Sequence, residues 1–324
     1  MIVGQARCGR RYRNGLTMMR SETYFEHVQG VARECGGIYR RMSVMTKDKP
    51  KNTEYALGHS AHELNRLERQ GDFFHDLTRD LLVRAGICQG MHVLDYGGGA
   101  GDVAILAAEI VGPSGSVVSY DRAPKAVAKA TERAAKLGLR QLRFVEADEV
   151  TVREKLGSKL FDAVVGRLVL VFQSDPVAAL RTNMSYLRPG GLVAFHEYDQ
   201  EGKCWSQPRL PLCEEVAGWL VDTFRRGGMV TDAGKVARIF RDAGVQLIRV
   251  VREGQVADDT DPLAHTFLVD GMRTMLPLAE KHGVTAAAQV QIDTLLDRLK
   301  AESAGKDARW IPAFLVAAWG KVPS

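Results

Sequence analysis

The 324-residue sequence lacks the features that mark a membrane, secreted or zinc-binding protein. No apolar run approaches the roughly 20 residues that a membrane-spanning helix needs. Residues 1–30 contain no sustained apolar core of the kind that a secretory signal has. The five cysteines are scattered, and none belongs to a C-x-x-C pair. This pattern argues against a disulfide framework and a zinc site, and it predicts a globular protein of the reducing cytoplasm with no membrane span.

The sequence also lacks a basic region on its main body. Residues 1–51 contain 11 Lys and Arg against 4 Asp and Glu, so their net charge of 11 − 4 = +7 exceeds the net charge of +5 of the whole chain. The remainder is therefore slightly acidic, whereas a nucleic-acid-binding fold usually has a basic stripe of its own. We expect no nucleic-acid partner, and a homodimer stays open.

The basic N-terminal extension, residues 1–51, allows three interpretations. Apolar residues recur at helical spacing between Tyr24 and Met42, which fits one amphipathic accessory helix. A targeting peptide is the second interpretation, and a translation start at Met42 or Met45 is the third. The sequence does not decide between them.

The most informative stretch is Met91–Val103, MHVLDYGGGAGDV. It predicts a buried strand, a glycine-rich turn and the start of a helix. Glycines allow positive φ angles and let a ligand approach the backbone closely. The free N–H groups at the helix start then face that ligand, so the stretch predicts a loop that binds a nucleotide-type cofactor.

Two cofactors are compatible with this loop. Gly99, Gly101 and Ala104 fit the dinucleotide fingerprint G-x-G-x-x-[GA]. Asp95, Gly97, Gly99 and Gly101 instead form D-x-G-x-G-x-G. A carboxylate beside the loop would repel a pyrophosphate and attract an ammonium group, and this favours the second pattern.

With this second pattern the sequence resembles the class I S-adenosylmethionine (SAM) methyltransferases. The resemblance implies that the loop passes under the methionine part of SAM and that Asp95 helps to hold its amino group. The segment LRPGG at residues 187–191, directly before an apolar strand, is also characteristic of this family. The closest likeness is to the ubiquinone/menaquinone-type group, which acts on small molecules.

Further cofactor-binding residues are expected along the chain. Asp121 ends the second predicted strand about 20 residues after the loop, where ribose hydroxyls are bound in both cofactor families, and Arg122 follows it. The resemblance implies that an acidic residue after the third strand binds the adenine amino group, and Asp148 and Glu149 both stay open for this role. The remaining candidates are Arg167, at the end of the fourth strand, and Tyr55, in a segment that could cover the cofactor.

Catalytic candidates follow the fifth strand, at His196, Glu197 and Tyr198. Ligands of open α/β sheets sit at the carboxyl ends of the strands. We expect His196 to act as a base because its ordinary pKa is near neutrality. Glu197 could orient it or bind a substrate amine, and Tyr198 could donate a hydrogen bond. A purely structural role stays open for all three, and no metal site is expected.

The regular alternation of strands and helices predicts an α/β fold. The family resemblance implies a Rossmann-like seven-stranded sheet with strand seven antiparallel, helices on both faces and added helical lid segments. We expect a basic extension at 1–51, an N-terminal helical lid at 52–90 and a methyltransferase domain at 91–324. Helical insertions are expected near 205–230 and 262–304, and apolar residues of the second (Phe267, Leu268, Met272, Met275 and Leu276) could roof a substrate pocket.

The predicted function is the transfer of a methyl group from SAM to an oxygen, nitrogen or carbon of a small molecule. Two alternatives remain. One is an NAD-type oxidoreductase on a similar fold, and the other is a SAM-binding protein without catalytic activity. Asp95 and LRPGG count against the first, whereas the intact loop does not separate an enzyme from the second.

Overall fold

The computed structural model describes residues 61–324. Tyr55 and the extension at 1–51 lie outside this range. The helices, in chain order, are α1 (Ala61–Phe73), α2 (His75–Ala85), α3 (Asp102–Val111), α4 (Pro124–Lys136), α5 (Val152–Leu156), α6 (Pro176–Met184), α7 (Pro211–Arg226), α8 (Ala233–Ala243), α9 (Pro262–Lys281), α10 (Ala287–Val290) and α11 (Leu295–Ser303). The strands are β1 (His92–Tyr96), β2 (Ser116–Asp121), β3 (Leu142–Glu146), β4 (Phe161–Arg167), β5 (Leu187–Asp199), β6 (Trp205–Gln207), β7 (Gln246–Gly254), β8 (Ala257–Asp258), β9 (Arg309–Ile311) and β10 (Phe314–Lys321).

Seven strands form the main sheet in the order β3-β2-β1-β4-β5-β10-β7. Neighbouring strands from β3 to β5 run parallel, whereas β10 is antiparallel to both β5 and β7. This arrangement confirms the predicted class I methyltransferase sheet, in which the last strand is the antiparallel one. It differs from the dinucleotide-binding order 3-2-1-4-5-6.

Apolar strands at the centre explain why both faces of the sheet are covered. Val93 and Leu94 of β1 are fully buried, one on each face, as expected for a strand inside a parallel sheet. One face packs against α2, α3 and α4, and the other against α5, α6 and α8. The carboxyl ends of β1 to β5 are left as the edge where a ligand can enter.

Side-chain caps fix where three helices begin. Asp175 accepts a hydrogen bond from the Ala178 N–H at the start of α6, and Asp232 accepts one from Lys235 at the start of α8. Asp261 does the same for α9, accepting from the Leu263 N–H. Such caps satisfy N–H groups that have no partner inside the helix.

A helical region covers the carboxyl edge of the sheet. Its largest members, α7 and α9, pack on each other and on α1 through a shared apolar cluster. A small sheet of order β6-β9-β8 is attached to this cluster, with Trp310 of β9 fully buried in it. Among residues 61–324, no helix is both long enough and apolar enough to cross a membrane.

Three predicted boundaries are wrong. The fifth strand begins at Leu187 rather than Leu192, because LRPGG continues the strand through an irregular pairing with β4. The sequence predicts that the seventh strand begins at Ile311, but it begins at Phe314, since residues 309–311 belong to the small sheet. The sequence also predicts one helix at 285–304, which is instead divided into α10 and α11.

Candidate active site

The glycine loop between β1 and α3 forms one wall of a cavity of about 240 Å³ at the carboxyl edge of the sheet. Gly97 and Gly99 line it with φ angles of +71° and +51°, which side chains rarely adopt. A Cβ on Gly98 would lie 1.9 Å from Ser119 Oγ, so this position has no room for a side chain. Gly101, with φ +92°, lies behind the wall against Phe144.

Asp95 is buried directly beneath this loop. Its Oδ2 accepts a hydrogen bond from Ser119 Oγ at 2.8 Å, whereas Oδ1 has no hydrogen-bond partner among the described residues. Burial raises the pKa of Asp95 to about 7. Asp95 itself is not part of the cavity wall, although the next residues, Tyr96 and Gly97, are. A buried carboxylate oxygen without a donor is costly unless a donor binds there.

Asp121 connects the end of β2 to the glycine loop. Its two oxygens accept hydrogen bonds from the N–H groups of Gly99 at 2.9 Å and Ala123 at 2.8 Å. Both Asp121 and Arg122 line the cavity, as predicted for cofactor-binding residues. Because each carboxylate oxygen has two acceptor sites, Asp121 can still bind hydroxyl groups of a ligand.

The two acidic residues after β3 both reach the cavity but are held differently. Asp148 Oδ1 accepts hydrogen bonds from the backbone N–H groups of Val150 and Thr151 and from the Thr151 hydroxyl. These bonds lower the pKa of Asp148. Glu149 instead accepts a hydrogen bond from the Tyr96 hydroxyl. The structure therefore keeps both carboxylates as candidates for the adenine side of the site.

Arg167 lies at the end of β4 within a buried polar cluster. Its Nη1 donates to Thr78 Oγ1 at 2.9 Å, and its Nη2 is 3.6 Å from Asp102 Oδ2. Asp102 also pairs with Arg133 at 2.7 Å. Arg167 and Asp102 both line the cavity next to the glycine loop. Asp102 was not among the predicted site residues, although its position at the helix start could have pointed to it.

His196 and Glu197 do not lie on the cavity wall, which corrects the prediction that they face an acceptor. His196 is fully buried beneath β10, where its Nε2 lies 2.7 Å from Glu253 Oε1. Burial lowers the pKa of His196 and favours the neutral ring, so Nε2–H is the donor in this bond. Since the ring has no access to the cavity, its geometry does not fit a general base.

Glu197 holds a backbone turn. Its Oε1 accepts from the N–H groups of Val169 at 3.1 Å and Leu170 at 2.8 Å, and its Oε2 accepts from Val171 at 3.2 Å. The turn follows Leu168, whose φ of +54° is strained for a residue with a side chain. Leu168 and Val169 line the cavity, whereas Glu197 does not. The hydrogen bonds of Glu197 therefore fix the position of this part of the wall without Glu197 being exposed on it.

Tyr198 is the only one of the three catalytic candidates on the cavity wall. Its hydroxyl oxygen accepts a hydrogen bond from Gln70 Nε2 of α1 at 2.7 Å. Burial raises the pKa of Tyr198 to about 12, so the hydroxyl keeps its proton at neutral pH. Gln70 was missed in the sequence, because 128 residues separate it from Tyr198.

Helices α7 and α9 close the cavity on the side away from the glycine loop. Phe224 and Leu220 of α7 and Phe267 and Met275 of α9 are on its wall. Two of the residues expected to form a roof, Phe267 and Met275, thus line the cavity, and their role toward a substrate stays a prediction. Leu268, Met272 and Leu276 instead pack inside the helical region. Among the described residues, no group of three or more His, Cys, Asp or Glu side chains is arranged to hold a metal ion.

Together, the sheet order and the glycine loop define a class I SAM-dependent methyltransferase fold with a ligand cavity at its expected edge. Residues 87–244 match the family model described as a methyltransferase domain.

Comparison with known proteins agrees with this assignment. The chain is 34% identical over 124 residues to an aklanonic acid methyltransferase of Streptomyces sp. (strain C5), covering 38% of this chain and 56% of the relative. It is 31% identical over 135 residues to the tRNA 5-carboxymethoxyuridine methyltransferase of Escherichia coli (strain K12), covering 41% of this chain and 49% of the relative. The chain thus spans roughly half the length of these relatives.

A solved structure of coclaurine N-methyltransferase, bound to N-methylheliamine and SAH, shares the fold with a TM-score of 0.50 at 12% identity. The match covers 76% of this chain and 72% of that one.

Proposed function

We propose that this protein transfers a methyl group from SAM to a small-molecule acceptor. The observation that carries the proposal is a single cavity with two unlike sides. The glycine loop, Asp121 and the acidic residues after β3 form one side, and the apolar residues of α7 and α9 form the other. A polar cofactor and an apolar acceptor can therefore meet in one enclosed space, which is what an in-line transfer requires.

The residues on the polar side fit SAM. A side chain on Gly98 would clash with Ser119. Asp95, buried beneath the loop and off the cavity wall, adds a negative charge nearby that attracts the ammonium group of SAM. Asp121, Asp148 and Glu149 line the cavity. We assign Asp121 to the ribose hydroxyls and Asp148 or Glu149 to the adenine amino group. When bound, SAM supplies a methyl group on a positively charged sulfur. The protein then binds and orients both partners and excludes water.

A free small molecule suits the apolar side better than a nucleic acid does. Residues of α1, α7 and α9 line the cavity, and most of those on α7 and α9 are aliphatic or aromatic. We extend the proposal to a cytoplasmic location and to a lid role for residues 52–90. For the lid, Arg66, Leu67 and Gln70 of α1 supply the described part of the cavity cover.

Calorimetric titration with SAM, S-adenosylhomocysteine and NAD in parallel tests the cofactor. We expect micromolar binding of both sulfur compounds and none of NAD. Asp121→Asn should weaken SAM binding by about 1–3 kcal/mol, because an amide cannot accept all the hydrogen bonds that the carboxylate accepts. Asp297→Asn, on the exposed face of α11, is the matched control. Binding of NAD alone, or unchanged SAM affinity in Asp121→Asn, would contradict the assignment.

A further inference from the structure

The side of the cavity opposite the glycine loop has an aromatic lining. We call it the acceptor side and define it by Phe172, Tyr198, Leu220, Phe224, Phe267 and Met275. The Phe224 ring centroid lies 5.5 Å from that of Tyr198 and 6.2 Å from that of Phe172. Aromatic walls of this kind favour flat, apolar ligands through offset and edge-to-face contacts.

Among residues 61–324, the acceptor side offers no side chain that is free to take a proton from an acceptor. Asp199, the carboxylate nearest to Tyr198 in sequence, is buried and bonded to Arg252 and to the Glu201 N–H. Burial raises the pKa of Cys204 to about 12, so this thiol stays protonated at neutral pH. No histidine is found on the cavity wall within residues 61–324. A hydroxyl acceptor that still carries its proton would therefore find no base among these described residues.

The acceptor side does offer a hydrogen-bond donor. Because the Tyr198 oxygen accepts from Gln70 Nε2, its own proton is free to point into the cavity. The positive charges of Arg66 on α1 and Arg167 on β4 act to lower the pKa of Tyr198, and Glu63 on α1 acts weakly in the opposite direction. Burial is the largest influence and raises the pKa of Tyr198 to about 12, so the hydroxyl stays protonated and can donate to a ligand oxygen.

We propose that the methyl acceptor is a planar aromatic molecule whose reacting oxygen is already ionised near neutral pH, and that the Tyr198 hydroxyl binds this oxyanion. The proposal rests on the SAM-dependent transfer proposed above. The acceptor oxygen forms the new O–CH₃ bond with one of its lone pairs while the S–CH₃ bond breaks and its electron pair goes to sulfur. The negative charge on oxygen and the positive charge on sulfur are both lost, so no proton has to leave and no base is needed.

This assignment gives Tyr198 a specific kinetic signature. Its hydrogen bond is strongest to the bound anion and weakens as the charge is lost in the transition state. Removing the hydroxyl should therefore weaken acceptor binding without slowing the chemical step. Tyr198→Phe should raise the KM of the acceptor about ten- to a hundredfold, the loss expected for a hydrogen bond to a charged group, and leave SAM affinity unchanged. Because the lost bond is weaker in the transition state than in the ground state, kcat should be equal to or higher than that of wild type.

Two naphthols of similar size test the proposal, one acidified by a nitro group and one carrying a methyl group. The full chain is incubated with SAM, and S-adenosylhomocysteine release and the methylated product are measured across a pH series. We expect the nitronaphthol to react at neutral pH and the methylnaphthol only as the pH approaches its own, higher pKa. The nitronaphthol bound beside S-adenosylhomocysteine should have the absorption spectrum of its anion. Tyr186→Phe, which is away from the cavity wall, is the control for Tyr198→Phe.

Equal methylation of the two naphthols at neutral pH would overturn the proposal, as would faster methylation of an aromatic amine of the same shape. Failure of the nitronaphthol to bind, with SAM binding intact, would refute the acceptor class alone. If the wild-type protein does not bind SAM, the proposed function is refuted as well. A fall in kcat with unchanged KM in Tyr198→Phe would show that Tyr198 does not bind a ground-state anion.

Discussion

Replacing Glu197 tests how the wall of the cavity is held in place. Three backbone N–H groups, those of Val169, Leu170 and Val171, donate to this one carboxylate. All three residues are buried, so Glu197→Leu would leave the three donors without a partner. At about 1–3 kcal/mol for each unpaired buried donor, the gross loss is about 3–9 kcal/mol in the free energy of unfolding.

Part of this loss is offset, because the carboxylate is itself costly to bury. Burial raises the pKa of Glu197 from 4.5 to about 7, despite the three hydrogen bonds. Such a shift corresponds to about 3 kcal/mol between the two protonation states. The native state therefore holds the proton more tightly than the unfolded chain does. The contribution of Glu197 to stability is full below about pH 4.5 and is lost as the pH rises through about 7.

Chemical denaturation at a series of pH values measures both effects. We expect Glu197→Gln, which keeps one acceptor oxygen, to be less destabilised than Glu197→Leu. The stability difference between wild type and Glu197→Gln should shrink by up to about 3 kcal/mol between about pH 4 and pH 8. Glu201→Gln, two residues beyond the strand on an exposed side chain, is the control. A difference that does not depend on pH, or a Glu197→Leu variant as stable as wild type, would refute the reasoning.

Three further changes probe other parts of the site. Gly98→Ala should abolish SAM binding in calorimetry, because its Cβ would lie 1.9 Å from Ser119 Oγ. As the control, Gly218→Ala in α7 should stabilise the helix by about 0.5–1 kcal/mol, because no atom lies within 4 Å of its Cβ. Burial raises the pKa of Asp95 to about 7. If its ionised form attracts the ammonium group of SAM, as proposed, SAM affinity should rise with pH up to about 7. Asp95→Asn should remove this slope, and a wild-type affinity without a slope would contradict the role of Asp95. His196→Ala should lower the thermal stability and leave the pH profile of kcat unchanged, whereas a lost ionisation in that profile would restore His196 as the base.

The α/β body was predictable because its signals are local. The buried run of β1, the glycines after it and the caps Asp175 and Asp232 each lie within a few residues of the structure that they specify. Asp121 could be predicted for the same reason, since the spacing between loop and second strand is fixed by one helix.

The role of His196 could not be predicted from its neighbours in the sequence. Alternation along β5 places His196 and Glu197 on opposite faces of the sheet, but it does not show what covers each face. His196 is bonded to Glu253 on β7, and Glu197 accepts hydrogen bonds from the turn after β4. Both partners are far away in the chain. Strand residues near a ligand edge can therefore serve the packing behind the site rather than the site itself.

The sequence also could not predict the hydrogen bond between Tyr198 and Gln70 or the presence of the small sheet. Gln70 lies on a helix whose apolar spacing predicts only packing. The strands β6, β8 and β9 have two or three residues each, which is too short for an alternating pattern to be recognised.

The position of β10 has a consequence for the order in which the sheet is assembled during synthesis. Among the described strands β7 pairs with β10 alone, so β7 cannot join the sheet until residues 314–321 have been made. Until then β5 has an unpaired edge, and the buried His196 has neither Ala317 beside it nor Glu253 within reach. A ribosome-bound chain that stops before Phe314 would thus expose an interior strand, which is a site for chaperone binding or aggregation.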